Sequence, residues 1–324
     1  MWRLINSGPG TGSWNMAVDE AILEAVIRGE APPTLRFYSW QPPAISLGHF
    51  QPAEKALRMQ ACQAKGLEVV RRPTGGRAIL HDKEITFSII APLAVLGTEG
   101  VMDSYRYLAR GIIAGLRRLG VAAELVDKSA RNARCPSGVA RHPGAGDELL
   151  PNGVTASPAA CFAVKARCDL LALSACPERL VPSDLSRGKP REAEGGRREV
   201  EGMVVGRKIV GSAQVHRDGV VLQQNSLPFV IEADKWKEVF QGLARRSLPS
   251  PEQSRRGEGG MDGIGSEAVG LWDAAGRIVE FDEAALALTQ GFEDAPGVDL
   301  SLAELAEAES ERARELQARC LLAP

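Results

Sequence analysis

Apolar residues at Trp14, Ala17, Val18, Ala21, Ile22 and Ala25 recur with the spacing of one helix face, and Gly29 follows as a stop. The pattern predicts a helix over residues 14–28 with Ser13 as its N-cap. Strand-like alternation then takes over. Residues 34–40 and 44–48 read as strands, and so do 67–70, 78–81 and 84–90. A second helical stripe, Tyr105, Leu108, Ile112, Leu116 and Leu119, predicts a helix over 104–119 between an Asp103 cap and Gly120. Two hairpin signals lie within 202–227. Residues 203–205 and 208–210 flank Gly206-Arg207, and Val215 and Val220 flank a turn at Asp218-Gly219. Further on, Asp282 is the expected cap of a helix over 283–290, and a polar helix is expected over 301–320.

Three stretches have no period: 131–158, 182–198 and 247–265, the first rich in Arg, Gly, Pro and Ala, the second highly charged. They suggest a main domain over 1–246 with irregular insertions near 128–158 and 178–200. A linker over 247–265 and a C-terminal helical segment over 266–324 would complete the chain. Strands gathered in hairpins, with helices between them, imply an α+β fold of mixed or antiparallel sheets with packed helices. A doubly wound parallel fold would need regular strand-helix alternation, which is missing.

Composition narrows the class. With 324 residues, 44% hydrophobic and 25% charged, the chain is long enough to bury a large core and is ordinary for a globular protein. No apolar run is long enough to span a bilayer, and residues 1–7 lack a secretory apolar core, so a cytoplasmic protein without membrane partners is expected. The six cysteines form no Cys-x-x-Cys pairs and read as reduced thiols. Net charge is −2, yet residues 104–147 hold eight Arg or Lys against three acids, and 271–324 hold four against twelve. That division argues against a nucleic-acid partner, which would favour a basic domain throughout. It allows the basic stretch to steer a small acidic protein.

The chemistry concentrates at Arg71-Arg72-Pro73-Thr74-Gly75-Gly76-Arg77, between two predicted strands. Adjacent glycines let backbone N–H groups face a ligand, and three arginines offer planar forks for a phosphate or carboxylate. A solvated hairpin is the plain alternative. Cys161, at a loop-to-strand edge, is either an exposed nucleophile or a small buried hydrophobe. Lys208, followed closely by Gly211, Ser212 and Ala213, can lay an ammonium across a shallow site and steady an oxyanion, or can simply face solvent. His81 and Asp82 are adjacent on a strand and point to opposite faces, so they do not pair there, and His81 reads as a loop anchor. His49 reads as either a site wall or a core histidine. A metal site from Cys135, His142, Cys161 and Cys168 has irregular spacing, so no metal is expected. No Gly-Lys-Ser/Thr loop and no strand-linked Gly-x-Gly-x-x-Gly occurs, which disfavours the common nucleotide-binding folds.

Three blocks together resemble the lipoate–protein ligase and octanoyltransferase superfamily, whose catalytic fold is shared with biotin ligases. They are Trp14-Asn15-Met16-Ala17-Val18-Asp19-Glu20, the loop from Arg71 to Asp82, and Gly206 through Gln214. Arg-Arg-Pro-Thr-Gly-Gly-Arg, together with Cys161-Phe162, is similar to the LipM-type octanoyltransferases, whereas ATP-dependent ligases usually carry a further glycine where Arg77 stands. The resemblance implies that Cys161 accepts the acyl group and Lys208 assists its transfer. Arg72, Thr74, Gly75, Gly76, Arg77, His81, Gly211, Ser212 and Ala213 would then bind substrate. It further implies octanoyl-acyl carrier protein as donor, a lipoyl domain such as that of glycine-cleavage H protein as acceptor, and no cofactor. Cys168 stands where the family tends to have an aromatic residue. The competing expectations are an ATP-dependent lipoate or octanoate ligase and a non-catalytic acyl-binding module.

Overall fold

The computed structural model describes residues 1–125, 171–173, 207–241 and 268–322. The elements in chain order are β1 (Trp2–Gly10), α1 (Gly12–Ile27), β2 (Thr34–Trp40), β3 (Ala44–Leu47), α2 (Ala53–Ala56), α3 (Met59–Ala64), β4 (Glu68–Arg71), β5 (Ile79–His81) and β6 (Glu84–Pro92). Then come α4 (Leu93–Leu96), α5 (Val101–Arg118), β7 (Ala123–Leu125), β8 (Leu171–Leu173), β9 (Arg207–Lys208), β10 (Gly211–Arg217) and β11 (Val220–Pro228). The last are α6 (Ala233–Val239), α7 (Leu271–Ala275), α8 (Phe281–Asp294), β12 (Leu300–Leu302) and α9 (Glu307–Cys320).

A six-stranded sheet runs in the order β10-β11-β6-β2-β1-β12. Its β10/β11, β11/β6 and β6/β2 pairs are antiparallel, and β2/β1 and β1/β12 are parallel. The mixed α+β arrangement is the one expected. Period-two alternation sorts the side chains of the central strands. Leu35, Phe37, Phe87, Ile89 and Val221 join Leu108, Ile112, Leu288 and Phe292 beneath α5 and α8. Ile5, Ile90 and Leu222 pack with Ala17, Ile22 and Ala313 beneath α1 and α9. Helices cover both faces, so every residue of β11 before Pro228 is buried. The α5–α8 contact requires glycine, because a Cβ on Gly291 would lie 2.3 Å from the Gly115 nitrogen and 2.4 Å from the Gly111 oxygen. At the β10–β11 turn, Asp218 (φ 48°) and Gly219 (φ 74°) both take left-handed backbone, as a tight hairpin demands.

A second sheet, β4-β3-β5, encloses Ile45, Leu47, Val69 and Leu80 together with Val239 and Phe240 from α6 and its end. The third is β7-β8-β9. Residues after 267 rejoin the first two sheets. β12 pairs with β1, the Leu322 amide donates to the Val69 carbonyl at 3.0 Å, and α9 is tied to the start of β1 by the buried Arg3–Glu309 ion pair at 2.6 Å. Among the described residues no helix is long and apolar enough to cross a membrane.

Several expectations shift at the element ends. Thr11, not Ser13, caps α1, and its hydroxyl accepts from the Trp14 amide at 3.3 Å. The Ser13 amide instead faces the Glu68 carboxylate at 3.2 Å. α5 begins at Val101, so Asp103 lies in its first turn, and α8 begins at Phe281, which puts Asp282 in its first turn also. The polar helix expected over 301–320 starts only at Glu307, because Leu300–Leu302 is drawn into the sheet beside β1. Lys208 closes a two-residue strand paired with β8 and does not open one running to Val210. Residues 203–205 lie outside the described residues.

Candidate active site

A narrow cleft, partly open to solvent, lies between the β4–β5 loop, the N-terminal half of α1 and the start of β10. Met16, Tyr38, Trp40 and Ile79 give it apolar wall. Arg72, His81, Gln224 and Ser226 give it polar wall, and Gly211, Ser212 and Ala213 form one side.

The arginine loop is built differently from the expectation of three free forks. Arg71 donates through Nη1 to the carbonyls of Gly48, His49 and Gln51 at 2.9, 2.8 and 3.0 Å. Arg72, only 4% exposed, donates to the Gly75 carbonyl at 2.7 Å, the Arg77 carbonyl at 2.8 Å, and the Ser46 carbonyl and hydroxyl at 3.0 and 2.9 Å. Arg72 therefore holds the loop from inside it and Arg71 ties the loop to the neighbouring 48–51 turn, since bent backbone presents carbonyls that need donors. Arg77 alone of the three has an exposed side chain. Thr74 is fully buried and donates to Gln224 Oε1 at 2.7 Å, pinning the loop to β11. Gly75 and Gly76 ride above this pin. Gly76 has φ 101°, and a Cβ on Gly48 would stand 2.0 Å from its carbonyl oxygen, so two glycines are needed where these backbones meet.

His81 is a buried anchor that also lines the cleft. Its Nε2 lies 2.8 Å from Ser46 Oγ and its Nδ1 lies 2.7 Å from Glu84 Oε1, with the ring stacked on Trp40 at 3.9 Å. Ser46 Oγ already accepts from Arg72, so its single proton is available to His81 Nε2, and His81 Nδ1–H then donates to Glu84. Asp82 lies just past the end of β5, in the turn before β6, and bonds Lys235 at 2.8 Å; it stays apart from His81 through that turn and not through strand alternation. His49 is exposed, which excludes the core reading. Partial desolvation and then the Arg71 charge hold its imidazole below the ordinary value.

Lys208 Nζ lies close to Gly211, a residue of the cleft wall: a Cβ placed on Gly211 would stand 3.5 Å from it, an ordinary contact. Ala213 pairs with Gln224 and Ser212 with Asn225. Gln224 reaches α1, so alternation turns the Ser212 hydroxyl to the opposite face. There Oγ is buried with no hydrogen-bond partner among the described residues. Ser212 thus borders the cleft by its place in the strand.

Sequence reasoning missed the polar core beneath the cleft. Asp19 and Arg36, both fully buried, pair at 2.7 Å. Asp19 also accepts from Ser88, Tyr38 and Gln224 at 2.8, 2.9 and 2.8 Å. Burial, then the Asp19 charge, raises the Tyr38 phenol well above its usual range, so Tyr38 is a neutral donor. Glu84 accepts from Thr86 and from Ser226. The available signal was an arginine inside the apolar strand 34–40 and the polar run Gln223-Gln224-Asn225-Ser226 inside another.

Cys161 and Cys168 lie outside the described residues, as do Cys135 and His142. Among the described residues no cluster of His, Cys, Asp or Glu could hold a metal ion. The described cysteines are poor thiolates: burial raises the Cys62 thiol, and burial together with the Glu20, Asp19 and Glu68 carboxylates pushes Cys320 up to about 11.

The family model described as the lipoyl protein ligase A/B catalytic domain matches residues 11–293. Octanoyltransferase LipM of Kyrpidia tusciae is 36% identical over 321 residues, covering 99% of this chain and 96% of its own. Octanoyltransferase LipM of Symbiobacterium thermophilum is 36% identical over 97% of this chain and 93% of its own. The chain belongs to the LipM octanoyltransferases. It is an acyltransferase of lipoate biosynthesis. Among solved structures, lipoate-protein ligase A bound with ATP superposes with a TM-score of 0.62 at 21% identity, covering 98% of this chain and 94% of that one. A bipartite lipoate protein ligase from Thermoplasma acidophilum, described with its E2 lipoyl domain, gives 0.61 at 20% identity, covering 98% and 92%. These two establish the shared fold.

Proposed function

We propose that the chain moves an octanoyl group from octanoyl-acyl carrier protein to Cys161, and then to a lysine of a lipoyl-domain protein such as glycine-cleavage H protein. In the first step the Cys161 thiolate attacks the thioester carbonyl, a new C–S bond forms, and the carrier thiolate leaves and takes up a proton. In the second, the neutral amine of the acceptor lysine attacks the acyl-Cys161 carbonyl. The Cys161 thiolate leaves, and the nitrogen releases its extra proton as the amide forms. Thioester exchange is close to isoenergetic and aminolysis runs downhill, so the sequence needs no ATP.

The observation that carries this reading is the Lys208 ammonium at the rim of an apolar cleft, against Gly211. A fixed cation there hydrogen-bonds the oxygen on which charge develops in both steps. Arg72, Thr74, Gly75, Gly76 and His81 keep the opposite wall in place, and Gly211 to Ala213 form the ledge on which the acyl carbonyl rests. Arg77, exposed on the loop, meets the acidic surface of the carrier. A reactive free thiol suits a reducing cytoplasm.

The test is octanoyl transfer to a lipoyl-domain protein in nucleotide-free buffer, with Lys208→Met alongside the unsubstituted enzyme. Turnover without ATP, and a fall of roughly 10²-fold or more in kcat for Lys208→Met, are expected, in line with removing one oxyanion donor. A strict ATP requirement would instead support the ligase reading.

A further inference from the structure

The thioether of Met16 projects from α1 into the cleft wall, with the residue only 2% exposed. It packs with Tyr38, Trp40, Ala44 and Val70, and Cys320 from the end of α9 packs against the same cluster. Its sulfur lies 3.4 Å from Gln224 Nε2. That amide cannot turn, because Thr74 donates to its oxygen and its nitrogen donates to Asp19. One helical turn beyond Met16 stands Asp19 with Arg36, a buried ion pair that hydrocarbon could meet only at high cost. Lys208 lies over Gly211, and Gln224 pairs with Ala213, two residues and about 7 Å further along β10. A chain entering from the lysine therefore runs toward the thioether.

We infer that Met16, held by Gln224 and backed by Tyr38, Trp40, Ala44 and Val70 with Cys320 against them, is the end wall that sets the longest acyl chain the enzyme accepts. The inference rests on the octanoyl-transfer reading of this cleft. A wall and a greasy slot discriminate differently. Chains shorter than the slot lose only buried methylenes, roughly fourfold in rate for each. Longer chains must displace packed atoms, and a close-packed interior resists that more steeply. The chain-length profile of the unsubstituted enzyme is therefore asymmetric, shallow below its optimum and steep above it. Methionine suits an end wall of this kind, being unbranched and able to fill an irregular gap.

The experiment measures single-turnover rates with hexanoyl, octanoyl, decanoyl and dodecanoyl carriers for the unsubstituted enzyme, Met16→Ala and Met16→Phe. In Met16→Ala, decanoyl and dodecanoyl should gain at least tenfold relative to octanoyl, while the hexanoyl-to-octanoyl ratio stays within about twofold. Met16→Phe should move the steep edge down toward hexanoyl. Calorimetric binding of the free six- to twelve-carbon carboxylates to the same folded proteins runs the comparison without turnover. It therefore decides the matter even where one variant is catalytically dead or the unsubstituted enzyme proves unable to transfer from carriers. Unchanged profiles in both folded variants, by rate and by binding, overturn the end wall. Absence of any ATP-free transfer, with binding profiles that shift as described, overturns the transfer mechanism and leaves the wall standing.

Discussion

Arg72→Lys separates charge from shape at the loop that the cleft depends on. Arg72 reaches three carbonyls and one hydroxyl, at distances between 2.7 and 3.2 Å, from a position only 4% exposed. Those acceptors are spread around the edge of the guanidinium: Ser46 on β3 at Nη1, Gly75 and Arg77 in the loop at Nε and Nη2. A lysine carries the same charge on one compact nitrogen and cannot span that separation. At least two acceptors then lose their donor, and each buried orphan costs about 1–3 kcal/mol. We expect Arg72→Lys to lose roughly 2–6 kcal/mol of stability, and Arg72→Ala more. Urea titration at constant m-value reads the loss. Activity should fall further than stability explains, since a shift of about 1 Å at a site can cost ~10²-fold. An Arg72→Lys enzyme with an unmoved urea midpoint and near-normal kcat/KM would refute the argument that this side chain holds the loop.

Gly48→Ala should leave the fold cooperative yet cripple turnover, because the added methyl would meet the Gly76 carbonyl at 2.0 Å; a circular-dichroism melt alongside a transfer assay checks both halves. Asp19→Asn leaves buried Arg36 without its counter-charge and should cost about 3–5 kcal/mol by denaturant unfolding, whereas a surface carboxylate would cost almost nothing. Cys320 should resist alkylation at pH 8 and react only as the pH approaches 11, followed by peptide mass mapping. The sign of the accompanying stability term follows from the raised native value: stability linked to this thiol is complete below its unfolded value, near 8.5, and is lost as the pH climbs through about 11. That alkaline slope should be shallower in Cys320→Ala, with the raised Cys62 and Tyr38 groups supplying what remains.

Much of the scaffold was legible because local pattern and tertiary demand agreed. The stripe from Trp14 to Ala25 does become α1, and 34–40 and 84–90 become central strands, since helices cover both faces and apolar alternation has a core to enter on either side. The three residues of β12 were not legible. A strand so short has no pattern of its own, and it exists because β1, about 300 residues earlier, offers a free edge. Thr11 was hidden in the same way by a choice between two hydroxyls two residues apart, Thr11 and Ser13, that only the fold makes. The glycine loop was readable as a turn, but not as a turn held by its own arginines. Composition shows donors, and it does not show that the nearest acceptors are carbonyls of the loop and of the neighbouring 48–51 turn. Asp19 and Arg36 were passed over because charged residues in apolar stretches normally face water. Their pairing joins two elements that no local spacing connects.

The proposed transfer requires a covalent octanoyl group on Cys161. Peptide-resolved mass spectrometry of enzyme mixed with octanoyl carrier, in nucleotide-free buffer and before acceptor is added, tests it directly. One octanoyl increment on the Cys161 peptide, discharged when lipoyl-domain acceptor is added and missing from Cys161→Ser, is the predicted result. Full transfer by Cys161→Ser, or an adduct on a different cysteine, would contradict it.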